Sequence, residues 1–279
     1  MFKKILNLLF ITCLSNGLLA QNNPVDSIFT SEGLILAEVK EIAPDYVKYS
    51  FPSETLINSI YKNNVQKIRF NSGRVQLFKE SLALAEIKYV HDYEKVSLTH
   101  LESETKGLYK LDEVFAKAVG TTTLSNITTV KERAFRKLKI QAALLGGNVV
   151  FMLDQNTVGN QFGSYYQTGK ATETTLTGIV YSNSIPKVDE IIALLNSKKT
   201  FNVNSNFYAG INSTDVEGNP YLPETFTIED FYEENGFVYV RGKARGIKNT
   251  LFKVVSFKNN QMTFYWKDKK KAYNLSVDL

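Results

Sequence analysis

Thiols, imidazoles and tryptophan are nearly missing from this chain: its 279 residues hold one Cys, two His and one Trp. The lone Cys13 lies within the first twenty residues, so loss of that segment leaves no thiol at all. Disulfides, thiolate metal sites, cysteine nucleophiles and redox switching are then excluded. Without disulfides the fold must rest on burial alone, which roughly 260 residues permit, because a chain of that size buries about 70–75% of its unfolded surface. His91 and His100 stand nine apart, in neither of the close spacings that hold a metal ion. No G-x-S-x-G elbow and no S-x-x-K set is present. The sequence therefore offers no catalytic residue, no metal site and no cofactor. A long hydrophobic run is also missing: the longest greasy stretch, residues 5–14, falls short of the ~20 residues that span a bilayer.

That short stretch has its own meaning. Lys3 and Lys4 precede it, and Leu18-Leu19-Ala20 follows, with a small residue before Gln21. A charged start, a short apolar core and a small residue form the layout of a secretory signal peptide over residues 1–20. Cys13 could mark a lipoprotein instead, but Phe10-Ile11-Thr12 is not the leucine and small-residue pattern such a site prefers. The expectation is export to periplasm or medium without lipid anchoring, and no transmembrane segment in the mature chain. Loss of Lys3 and Lys4 lowers the formal net charge from +5 to +3. That excess is too small to argue for nucleic acid.

Residues 25–80 read as short strands joined by tight turns. Residues 26–29 form a first strand, with a glycine turn at Ser31-Glu32-Gly33. Ile35, Ala37 and Val39 alternate with Leu36, Glu38 and Lys40; Val47, Tyr49 and Phe51 line one face of a third strand. Ile68 and Phe70 precede an Asn71-Ser72-Gly73 hairpin. So many strands in so short a span predict a small SH3-like or Sm-like barrel. The stretch DSIFTSEGLILAEVKEIAPDYVKYSF, followed by VQKIRFNSGRV, resembles a small β-module of exported proteins from Bacteroidetes-type bacteria. The resemblance implies no transferable activity.

Residues 81–183 centre on one helix. Thr129-x-x-Glu132 predicts a capping box, and Val130, Ala134, Leu138, Ala142 and Leu145 recur at helical spacing. Gly146-Gly147 predicts its end, and Lys131, Arg133, Arg136, Lys137 and Lys139 the solvent faces. Residues 148–153 read as a buried strand, residues 95–101, 111–119 and 171–181 as further strands, giving the order β-β-α-β-β. Ala142-x-x-Leu145-Gly146-Gly147-Asn148-Val149-Val150 and Thr177-Gly178-Ile179-Val180 resemble the YbjQ-like and RcsF-like group of α/β domains. RcsF-like members use disulfides, and thiol metal binding has been suggested for some related proteins; loss of residues 1–20 leaves no cysteine here to carry either.

Residues 184–223 read as a short amphipathic helix, with Ile191, Ile192 and Leu195 on one side, and then an Asn-, Gly-, Ser- and Pro-rich linker. Residues 224–279 predict a small antiparallel β-unit of four strands, residues 237–240, 251–257, 262–266 and 273–277. The whole is an α+β, multi-module chain.

Two surface features carry the binding chemistry. Lys269 and Lys270, with Lys267 and Lys271, lie beside Tyr265 and Trp266, an arrangement that suits anionic headgroups, an acidic surface polymer or an envelope protein. The alternative is a hairpin tip whose lysines protect a sheet edge. Tyr165 and Tyr166, with Phe162, lie in a Gly-flanked loop and are the second contact candidates. The function these features predict is a non-enzymatic, exported or envelope-associated binding protein. One alternative is a hydrolase of envelope polymer that uses carboxylates such as Glu229-Asp230 or Glu233-Glu234. The RcsF-like resemblance implies another, an envelope stress-sensing component.

Overall fold

The computed structural model describes residues 25–30, 33–78, 84–122, 124–159, 169–210, 213–219, 222–258 and 260–279. The expected signal peptide and the Tyr165–Tyr166 pair lie outside them. The described residues are mostly β and form three sheets, with helices against two of them. No helix among the described residues is long and apolar enough to cross a membrane.

Period-two patterning builds the N-terminal sheet. Its strands are β1 (Asp26–Thr30), β2 (Leu34–Ile42), β3 (Tyr46–Ser50), β4 (Asn58–Tyr61), β5 (Val65–Arg69) and β6 (Val75–Leu77). They lie in the order β4-β3-β2-β1-β5-β6, with β1 hydrogen-bonded to both β2 and β5. One face buries Ile28, Ala37, Val47, Val65 and Ile68. Asp26 explains its place at the start of the module: its carboxylate accepts from the amides of Val39 (2.9 Å) and Asn71 (2.8 Å), pinning β2 and the β5–β6 hairpin to β1. The polar stretch at Asn63 and Asn64 is a docking element. Their side-chain amides donate to the carbonyls of Ser103, Glu104, Lys106 and Gly107 in the central unit.

The central unit follows the expected order. β7 (Ser97–Thr99) and β8 (Tyr109–Val119) precede helix α1 (Ile127–Leu144), and β9 (Val149–Val158) and β10 (Glu173–Ser182) follow it. The sheet order is β7-β9-β10-β8. The helix starts earlier than the capping box predicts. Asn126 is the N-cap, its side chain accepting from the amides of Thr128 (2.7 Å) and Thr129 (3.4 Å). The C-terminus ends as expected in a Schellman turn: Gly147 N–H donates to Ala142 O (2.9 Å) and Gly146 N–H to Ala143 O (3.0 Å), with Gly146 at φ +75°.

Helix α1 buries more than its apolar stripe. Ile140, Ala143 and Leu144 are also in the core, because the C-terminal unit supplies Ala209, Tyr265 and Ala272 to the same cluster. The helix is a middle layer between the sheet and the C-terminal unit. Lys137, expected on a solvent face, is buried instead, and its ammonium reaches the Lys117 carbonyl at 2.8 Å.

The C-terminal unit departs most from expectation. The stretch read as a linker holds a strand, β11 (Thr200–Gly210), after helix α2 (Val188–Ser197), with a two-residue strand β12 (Glu217–Gly218) beside it. Then come β13 (Thr225–Glu234), β14 (Phe237–Ala244), β15 (Leu251–Lys258), β16 (Gln261–Asp268) and β17 (Lys271–Asp278). β11 pairs with β13 on one side and with β17 on the other. That double pairing closes six antiparallel strands into a barrel, which removes the free edges of an open sheet. A barrel below eight strands is filled by side chains. Here Phe201, Phe226, Phe252, Phe264 and Trp266 fill it, with Phe226 and Phe252 edge to face at 5.0 Å. Ile191 and Leu195 of α2 join that core and stopper it.

Candidate functional site

The β16–β17 hairpin positions the predicted lysines. Its tip is Lys269-Lys270, and Lys269 adopts φ +53°, a left-handed conformation that glycine and asparagine take more cheaply. Lys267, Lys269, Lys270 and Lys271 converge on a cleft of about 170 Å³. Its other wall comes from Glu113, Val114 and Phe115 of β8 and from Gln141 of α1.

The flanking lysines are held. Lys267 Nζ pairs with Asp112 Oδ2 at 2.7 Å, and Lys271 Nζ sits 4.2 Å above the Tyr208 ring. Lys269 and Lys270 are exposed and meet no carboxylate among the described residues. The cleft thus presents ammonium groups beside the exposed Phe115 ring, which suits an anionic group on a partly apolar carrier.

The aromatic half of the expected platform is not there. Trp266 is buried in the barrel core, stacked on Tyr273 at 4.9 Å with the rings 5° from parallel. Tyr265 points to the opposite face of β16 and is equally covered, by α1 and the central unit. Alternation sends one aromatic to each face, and here both faces are interiors. Neither ring can stack on a ligand. Their part is to fix the strand from which the lysines project.

Tyr265 belongs to a polar row along the outer barrel wall. Register places Lys253, Tyr265 and Asn274 side by side across β15, β16 and β17. Lys253 Nζ donates to the Leu111 carbonyl at 3.2 Å and lies 3.5 Å from the centroid of the Phe237 ring. Burial lowers its pKa; Asp112 opposes that shift and Lys267 adds to it. Asn274 Nδ2 donates to the Leu144 carbonyl at the end of α1, 2.9 Å away and buried. Between them the Tyr265 hydroxyl is buried with no hydrogen-bond partner, and burial, then Asp112, raises its pKa far above the ordinary value.

A second cavity, of about 420 Å³, opens where α2 begins, between Tyr109, Ile185, Pro186, Val188 and Phe257. No local pattern announces it, because its walls come from four separate segments. The lysines at its rim are already paired, Lys187 with Glu190 at 3.0 Å and Lys258 with Glu86 at 3.0 Å.

The remaining candidates are structural or solvated. His91 packs edge-on against Phe207 at 4.9 Å. Glu229 pairs with Lys243, and Asp230 accepts from the Phe231 amide. Among the described residues no three His, Cys, Asp or Glu side chains gather as a metal site would require. Searches of protein-family models, curated proteins and solved structures found no match to this chain.

Proposed function

We propose that the protein is an exported, non-enzymatic binding protein of the cell envelope whose ligand is an anionic surface polymer held at the β16–β17 hairpin. One observation carries this reading: Lys269 and Lys270 line a cleft flanked by two anchored lysines and meet no carboxylate among the described residues. A two-residue hairpin turn needs a positive φ whatever its role, so it is the facing wall from β8 and α1 that distinguishes this tip from one built only to guard a sheet edge. The barrel has no free edge at this hairpin, since β17 pairs with both β16 and β11.

The same proposal covers the modules. The β1–β5 pairing supports a small SH3-like or Sm-like barrel at the N-terminus. The β-β-α-β-β order and the Gly146-Gly147 cap support a YbjQ-like central fold.

The test is titration of the protein with polyglycerol phosphate and with polygalacturonate, read by calorimetry and by fluorescence of the sole tryptophan, Trp266. Replacing Lys269 and Lys270 by Glu weakens binding about tenfold or more, from ~0.5–1 kcal/mol per exposed ion pair. Unchanged affinity in that variant refutes the assignment.

A further inference from the structure

The outer face of the N-terminal sheet exposes what a stable monomer normally hides. Register aligns two rows across four strands. Leu34, Phe29, Lys67 and Leu77 form one; Leu36, Ser27, Arg69 and Val75 form the other. The four aliphatic residues are 50–73% exposed. Scattered exposed leucines need no explanation, but two exposed aliphatic pairs flanking an aromatic ring and two cations on one face mark an interaction surface.

The centre of the patch is cationic. Lys67 Nζ lies 4.5 Å from the Phe29 ring centroid and Arg69 Cζ 5.7 Å from it. Neither meets a carboxylate among the described residues, although Lys40 and Lys48 of the same module are paired with Glu38 and Glu41.

We propose that this face docks on an anionic lipid surface. Its chemistry discriminates among occupants. A second copy whose two-fold axis passes through the centre of the patch would bring Lys67 and Arg69 against their own counterparts, a like-charge clash. An acidic polysaccharide would satisfy the cations but leave Leu34, Leu36, Val75 and Leu77 in water. A lipid headgroup layer does both, taking aliphatic side chains at the acyl boundary and offering phosphates to the cations. This surface is independent of the hairpin lysines.

Vesicle co-sedimentation of the protein tests it, with equal parts phosphatidylglycerol and phosphatidylcholine against phosphatidylcholine alone. Binding to the anionic vesicles only, weakened by added salt, is the expected result. Lys67→Gln with Arg69→Gln lowers partitioning about 30-fold, on the basis of ~1 kcal/mol per basic residue near such a surface. Leu77→Ser, at an exposed position where folding is not at stake, lowers it about tenfold. Lys269→Glu with Lys270→Glu leaves it intact, which separates this surface from the hairpin cleft. Equal binding to both vesicle types overturns the proposal. So does absence of binding, concentration-dependent self-association through the patch, or loss only in the hairpin variant.

Discussion

Replacing Tyr265 by Phe stabilises the protein. The substitution keeps the ring and its packing against α1 and removes only a hydroxyl that is buried and has no hydrogen-bond partner. A buried, unsatisfied polar group costs about 1–3 kcal/mol. Against this stands the small void left by one oxygen. At ~24 cal/mol per Å³ and roughly 10 Å³, that is about 0.2 kcal/mol. The net gain is about 1–3 kcal/mol near neutral pH. The pH dependence gives a second, independent signature. Burial holds the folded-state pKa of Tyr265 well above the ordinary value of 10.0. A raised folded pKa means stability that is complete below pH 10 and lost as pH rises, since only the unfolded chain then ionises. The gap between Tyr265→Phe and the parent therefore widens above pH 10, by about 1.4 kcal/mol per pH unit. Urea denaturation of both proteins at pH 7, 10 and 11 reads both effects. A loss of 1 kcal/mol or more in Tyr265→Phe at pH 7 would show that the hydroxyl has a partner, and a gap that stays flat above pH 10 would show that it is not held desolvated; either result refutes the reasoning.

Two further substitutions probe the seam between α1 and the barrel. Gly146→Ala places a methyl group at φ +75° and 2.8 Å from the Val255 carbonyl, and it destabilises by about 2–4 kcal/mol in chemical denaturation. Asn274→Ala leaves the Leu144 carbonyl buried and unpaired. It costs about 1–3 kcal/mol, and hydrogen exchange at the end of α1 accelerates with it.

Where local pattern decides the element, the sequence was legible. Helix α1 announces itself by five apolar residues at helical spacing and a Gly-Gly stop, and all five are buried. The Asn235-Gly236 turn, with both residues at positive φ, joins β13 to β14 as its sequence predicts. β11 was illegible for a physical reason. Its Asn202, Asn204, Ser205 and Asn206 look like loop residues, yet the strand owes its place to ladders with β13 and β17. Val203 pairs with Val277, and no local window contains both partners. Barrel closure is a property of distant segments, and hydrophobic periodicity within one of them does not encode it.

The candidate site divides along the same line. Lys269 and Lys270 were legible because a polar pair between two β-runs can only be a turn, and a turn tip is exposed. Tyr265 and Trp266 were misjudged because alternation names two faces without saying what covers each. A barrel has one interior by construction, which takes Trp266; the other face is covered only because α1 packs on it and accepts from Asn274. Polar residues such as Lys253 and Asn274 disguise that wall as a solvent face, although each reaches a backbone carbonyl of the central unit. The same contacts give the hairpin its rigidity. Trp266 stacks on Tyr273, Lys267 is tied to Asp112, and Lys271 rests on Tyr208, so only the two tip lysines keep freedom to meet a ligand. Ordering two side chains on a fixed strand costs far less than ordering a loop, so the binding proposed for this small cationic cleft would begin from a preorganised frame.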